Sequence, residues 1–338
     1  MKNCFLIFIV FLFFSCANSK AIDSRSDSLL NKYSKSINEA DLRKHLYIIA
    51  SDSMEGRQTG SIGQKYAGRY LINQYKRNEI APAANTTDYL QFIPSSALKT
   101  RGGQFLDSSE NIAAFIKGSE KPDEIIVLSA HYDHVGVKNG IIFNGADDDG
   151  SGTVALLEIA KAFKEAQKDG HGPKRSILFL HVTGEEHGLL GSKFYSENPL
   201  YPLENTISDI NIDMIGRRDA DHSQSNNYVY VIGAERLSTD LLNIVIAANE
   251  KSSKIDLDFR YTENNDPSRY YTRSDHYNFA KNGIPSVFFF NGVHADYHKS
   301  TDTVDKIEFD ALTKRSQLAF AVAWELANRE NRITVDKK

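Results

Sequence analysis

The body of this chain has no cysteine: of 338 residues only Cys4 and Cys16 carry a thiol, and both fall within the opening segment. A disulfide is therefore excluded from the rest of the protein, whose stability must rest on a hydrophobic core and on any ion it binds. A strong charge of one sign is also missing, since the formal net charge is -4 and the pI about 6.2. With no long basic run and no platform of aromatic and arginine residues, nucleic acid is not expected as a partner. No apolar run is long enough to span a bilayer, because the longest, Phe5 to Phe14, is too short. Neither an internal repeat nor a low-complexity stretch divides the chain into obvious parts.

What is present begins with that apolar run. It follows the positive Lys2 and ends at Ser15-Cys16, the layout of an export signal. A small residue followed by cysteine is similar to a bacterial lipoprotein cleavage site, although Phe13 stands where leucine is usual. The expectation is an exported protein lipidated at Cys16 and held in the periplasm, at the outer membrane or at the cell surface. Residues 1–16 then form the signal peptide, 17–37 a flexible polar tether, 38–330 the folded domain and 331–338 a tail.

Four short apolar stretches rich in β-branched residues read as buried strands: Ile125 to Ser129, Ile177 to Val182, Ile207 to Ile212 and Val287 to Phe290. Helical periodicity starts at Asn38, through Leu42, Leu46 and Ile49. It returns over Ser61 to Arg77, with Tyr66, Tyr70 and Leu71 turned inward. Further helices are expected over Gly152 to Gln167, Leu189 to Ser196, Thr239 to Lys251, Asp275 to Lys281 and Glu308 to Asn328. The alternation predicts a single α/β domain with a central mixed, mostly parallel β-sheet and helices on both faces.

Reactive side chains gather just after the strands, where open α/β sheets place their ligands. After the first strand comes Ala130-His131-Tyr132-Asp133-His134. There Asp133, two residues on from His131 in extended backbone, can accept the spare ring N–H and fix the tautomer for a metal. Asp147-Asp148-Asp149, in a glycine-rich loop entering a helix, would repel one another without a cation; a helix N-terminus supplies only about half a charge. In Thr183-Gly184-Glu185-Glu186-His187-Gly188, adjacent side chains diverge, so one glutamate can bind a metal while the other acts as a base. Asp213 ends a strand, and Tyr297-His298 supplies a late imidazole.

Together these candidates allow His131 and Asp213 on one metal, Glu186 and His298 on another, and Asp148 between them. The charges then balance, about +4 from two zinc ions against about -3 from the carboxylates and about -1 from a hydroxide.

The order of these motifs resembles the M28 family of zinc peptidases over residues 40 to 330, and Met54-Glu55-Gly56-Arg57-Gln58-Thr59-Gly60-Ser61 is similar to that family's opening segment. The resemblance implies an exopeptidase that removes N-terminal residues from peptides, with two Zn2+ per chain and Asp148 bridging them. It implies a bridging water as nucleophile, Glu185 as general base and Tyr297 at the oxyanion. It also implies a strained, cis-type peptide between Asp148 and Asp149. Residues 88–124 are too few for the inserted domain some members carry, so a monomer is expected. Asp275 and His276 are candidates for substrate binding, and the loops over 223–227 and 263–271 for the pocket walls.

Three alternatives stay open at this point. The metal ligands do not encode which end of a peptide is bound, which leaves a carboxypeptidase or dipeptidase. A glutaminyl cyclase with a single zinc resembles the same fold, although Tyr297 stands where a tryptophan is typical. A non-catalytic binding protein could also have kept the fold, but it would be expected to have lost ligands.

Overall fold

The computed structural model describes residues 26–263 and 265–337; the leader and Cys16 lie outside them. The central sheet runs in the order β1 (Ala81–Pro82), β3 (Ser109–Ile116), β7 (Arg175–Val182), β4 (Lys121–His131), β8 (Thr206–Ile212), β11 (Ser286–Phe290), β9 (Tyr228–Ile232) and β10 (Asp256–Asp258), with β2 (Leu90–Ile93) also paired to β3. The four strands read from the sequence, β7, β4, β8 and β11, form its parallel centre. Antiparallel β3 and β9 flank them. A separate hairpin joins β5 (Gly136–Lys138) to β6 (Ile141–Phe143).

Strand alternation sorts the core into two layers. Ile126 and Leu128 of β4, with Ile177 and Phe179 of β7, pack under α4 (Gly152–Lys168) and α9 (Phe309–Asn328). Ile125 and Val127, with Leu178, Leu180 and Val182, pack on the other face against Tyr195 of α5 (Leu190–Glu197) and Phe279 of α8 (His276–Ala280). The remaining helices are α2 (Glu39–Ile49), α3 (Ile62–Arg77), α6 (Ala234–Leu237) and α7 (Thr239–Lys251). Asn38 and Ser61 start α2 and α3 by accepting the N–H of Asp41 and Gln64.

Three expectations are corrected here. Residues 26–34, expected within a flexible polar tether, form a helix, α1. Leu30, Tyr33 and Ile37, spaced three and four apart, are buried against the core, with the Tyr33 ring 5.7 Å from Trp324. Residues past 330 are not a free tail either. Ile333 is buried, and the N–H groups of Thr334 and Asp336 bond to Asp240 and the Leu237 carbonyl. Tyr66 points outward beneath the Arg69 guanidinium instead of into the core.

Candidate active site

The parallel centre delivers its residues to one end of the sheet. His131 is the last residue of β4 and pairs with Val182 at the end of β7, Asp213 follows β8, and the loop after β11 carries His298. His131 Nε2 lies 3.3 Å from Asp148 Oδ1 and 3.4 Å from Asp213 Oδ1. On the other side, His298 Nε2 lies 3.1 Å from Asp148 Oδ2 and 2.9 Å from Glu186 Oε2. The two oxygens of Asp148 thus face two separate donor sets. A tetrahedral zinc ion with bonds of about 2.0 Å needs donor atoms roughly 3.3 Å apart, so both sets suit one. Buried oxygens of Asp148 and Glu186 lack a hydrogen-bond donor, which fits the same ion.

One residue of this cluster escaped the sequence reading. His134 is fully buried with Nδ1 2.8 Å from Glu186 Oε1 and 3.8 Å from Asp148 Oδ2, so it joins the second set beside His298. Its position in the His131 motif was visible, but its direction depends on how the chain turns after β4. That turn is held by Arg57, whose fully buried guanidinium donates to the carbonyls of Ile49, Tyr132, Asn144 and Gly145. Arg57 O in turn accepts the N–H of His134.

The expected contact between His131 and the Asp133 carboxylate is also corrected. The ring nitrogen Nδ1 meets the backbone carbonyl of Asp133 at 3.0 Å, and the carboxylate is 3.8 Å away. The strand ends at His131, so the two-residue alternation no longer applies. The Asp133 carboxylate instead accepts from Thr59 Oγ1 at 2.8 Å and from Glu185 N at 3.3 Å. It holds the Glu185 loop, not the imidazole.

Of the three successive aspartates only the middle one faces the donor sets. Asp149 Oδ1 accepts the N–H of Met214 and Gly152, while Asp147 Oδ1 accepts from Gly216 and its Oδ2 meets His294 at 3.1 Å. The outer pair therefore braces the end of β8 rather than binding a cation. The Asp148–Asp149 peptide is cis, as the resemblance implied.

Glu185 and Glu186 diverge as expected. Glu186 joins the histidines, whereas Glu185 stands where two hollows of one cleft meet. The inner hollow is walled by Met214, Tyr270, Phe288, Phe290 and Val293, and the outer by Arg101, Glu186 and His298; both share Glu185, Arg273 and Tyr297. Gly191 lets the glutamate loop fold back, since a Cβ there would lie 2.3 Å from the Thr183 carbonyl oxygen. Tyr270 comes from one of the loops expected to form the walls; residues 223–227 line neither hollow. Asp275 and His276 are not in the cleft. Both are fully buried, Asp275 on the Ser192 hydroxyl and His276 with its ring 5.0 Å from Phe288.

Electrostatics follow from this crowding of buried acids and imidazoles. Burial and the Asp148 charge push the Glu186 carboxyl up, but the His134 and His298 imidazoles beside it win and hold it at about 2. Burial lowers His298, yet Asp148 and Glu186 overrule it and raise its pKa to about 10. Such protons occupy the positions a divalent cation would take, so metal binding should release them. Burial drives Glu185 well above the usual carboxylate range, with Asp213, Asp275 and Glu186 adding to the effect of burial.

Residues 111–323 match the peptidase family M28. The chain belongs to that family. The expected α/β architecture agrees with its structural neighbours. It is similar to leucine aminopeptidase 1 of Penicillium rubens, 28% identical over 67% of this chain, and spans 57% of that relative's length. A zinc aminopeptidase of Bacillus subtilis superposes with a TM-score of 0.66 at 18% identity, covering 89% of this chain and 99% of the other. A glutaminyl cyclase of Bacteroides thetaiotaomicron also shares the fold, with a TM-score of 0.66 at 19% identity over 87% of this chain and 99% of that one. At those identities the two structures speak to fold alone.

Proposed function

We propose that this M28 peptidase is a two-zinc aminopeptidase, and the observation that carries the reading is the division of Asp148 between two donor sets beside Glu185. His131, Asp148 and Asp213 would hold one zinc ion, and Asp148, Glu186 and His298 the other. Bound there, the ions would supply Lewis-acid charge and a more acidic water. The Glu185 carboxylate takes the proton of the attacking water and returns it to the leaving amine. The Tyr297 hydroxyl, at the junction of both hollows, donates to the developing oxyanion. The aromatic inner hollow accepts an apolar N-terminal side chain.

The single-zinc cyclase reading has no comparable support, because one zinc would leave one of the two donor sets around Asp148 without a purpose. The test is zinc per chain together with release of free amino acids from unblocked and N-acetylated peptides. Two zinc ions and cleavage of free N-termini only are expected, with Glu185→Gln retaining zinc and losing about a hundredfold or more in rate. One zinc and no hydrolysis would favour the cyclase.

A further inference from the structure

The two hollows share Arg273 and differ in the rest of their lining. The inner one adds aromatic rings beside Asp148 and Asp213, whereas the outer one, with 730 Å³ of atom-free space partly open to solvent, adds a second exposed arginine, Arg101. Arg101 comes from the loop closed by the Lys99–Phe105 bridge, and Arg273 from the segment just before α8, its guanidinium 4.9 Å from the centre of the Tyr270 ring. Gly188 gives Arg101 its course. A Cβ at 188 would lie 3.3 Å from Arg101 Cγ and Nε, and φ there is +120°, so the arginine stem lies across the turn that carries both glutamates.

Among the described residues neither guanidinium forms an ion pair, while Arg218 and Arg260, also exposed, sit at 3.0 Å and 2.7 Å from carboxylates. Zinc at the two donor sets would be offset by its own carboxylates, which leaves Glu185 alone against two guanidinium charges. Two planar donors lining one hollow are suited to a carboxylate, which each can bind through paired N–H groups.

Resting on the reading that the N-terminal residue fills the aromatic hollow, we infer that the outer hollow holds a carboxylate on the leaving side of the scissile bond, between Arg101 and Arg273. The substrates are then short peptides whose C-terminal carboxylate falls there, or peptides with Asp or Glu directly after the cleaved bond. The two share one recognition chemistry and differ only in where the carboxylate is attached.

Binding to the zinc-loaded full chain carrying Glu185→Gln separates them without turnover. Calorimetry with Leu-Ala and its C-terminal amide, and with the amides of Leu-Glu and Leu-Gln, should show a gain of about tenfold for the carboxylate member of at least one pair. A gain in the first pair assigns the C-terminal carboxylate, and in the second the side chain. Adding Arg101→Gln and Arg273→Gln should remove that gain, with zinc content and thermal unfolding measured alongside to confirm a folded protein. Equal affinity within both pairs overturns the inference, and so does a preference that survives loss of both arginines. If wild-type protein hydrolyses none of these peptides while the binding preference persists, the aminopeptidase reading fails and the carboxylate site stands.

Discussion

Arg57 Nη2 donates to the carbonyl of Gly145 at 2.8 Å, which ties a fully buried cation to the start of the turn that presents Asp148. The same guanidinium reaches three further carbonyls from α2, the end of β4 and the residue before Gly145. Among the described residues its hydrogen bonds all go to backbone carbonyls, while Asp148, Asp149, Asp302 and Asp133 favour the charge electrostatically. Arg57→Met would leave four buried acceptors without a donor and is expected to cost about 3–5 kcal/mol. Arg57→Lys should recover little of it, because one ammonium with three protons cannot reproduce the planar fork. Chemical denaturation of both variants reads this directly; a loss under about 1 kcal/mol for the first would show that water replaces the guanidinium.

The two imidazoles on Glu186 are expected to behave differently. His298 faces Oε2 and also Asp148, as a ligand would, whereas fully buried His134 has Nδ1 2.8 Å from Oε1 and stands farther from Asp148, at 3.8 Å. His298→Gln should take bound zinc from two ions towards one. His134→Gln should keep both ions at saturating zinc and weaken affinity by about 10–100-fold, the usual effect of removing a group that orients a metal ligand. Zinc titration with a competing chelator distinguishes them, and the reverse pattern would make His134 the ligand.

How much of this was legible in the sequence depends on what each feature needs. The strands β4, β7, β8 and β11 announced themselves as short, mostly apolar runs because they are buried on both faces, and their ends located His131, Glu185, Glu186 and Asp213. β3 is harder, since Glu110, Asn111 and two alanines dilute its apolar pattern; β9, Tyr228-Val229-Tyr230-Val231-Ile232, carries a plain strand signal although it is not among the four stretches named above. Spacing identified the carboxylates but not their partners. That Asp147 and Asp149 brace β8, and that Asp133 holds the Glu185 loop, follows from contacts between segments tens of residues apart. The docking of α1 was hidden because three well-spaced apolar residues were outvoted by polar neighbours.

Two histidines away from the donor sets give the protein an acid limit. His181, whose ring bonds to the Tyr75 hydroxyl at 2.7 Å, and His276 are fully buried, and burial pushes each pKa down to about 3. Both are neutral when folded, but in the unfolded chain each takes up a proton below about 6.5. Their contribution is therefore complete above that pH and is lost progressively as pH falls towards 3, by up to about 1.4 kcal/mol per pH unit for each. Other groups titrate in the same window, so the measurement is a difference. Unfolding free energy against pH should have a shallower slope in His276→Phe than in the wild type between pH 6 and pH 4, with the two curves closest in slope above pH 7. Parallel curves across the whole range would mean that His276 is protonated in the folded protein, and that the Phe288 and Tyr271 rings around it accommodate an imidazolium.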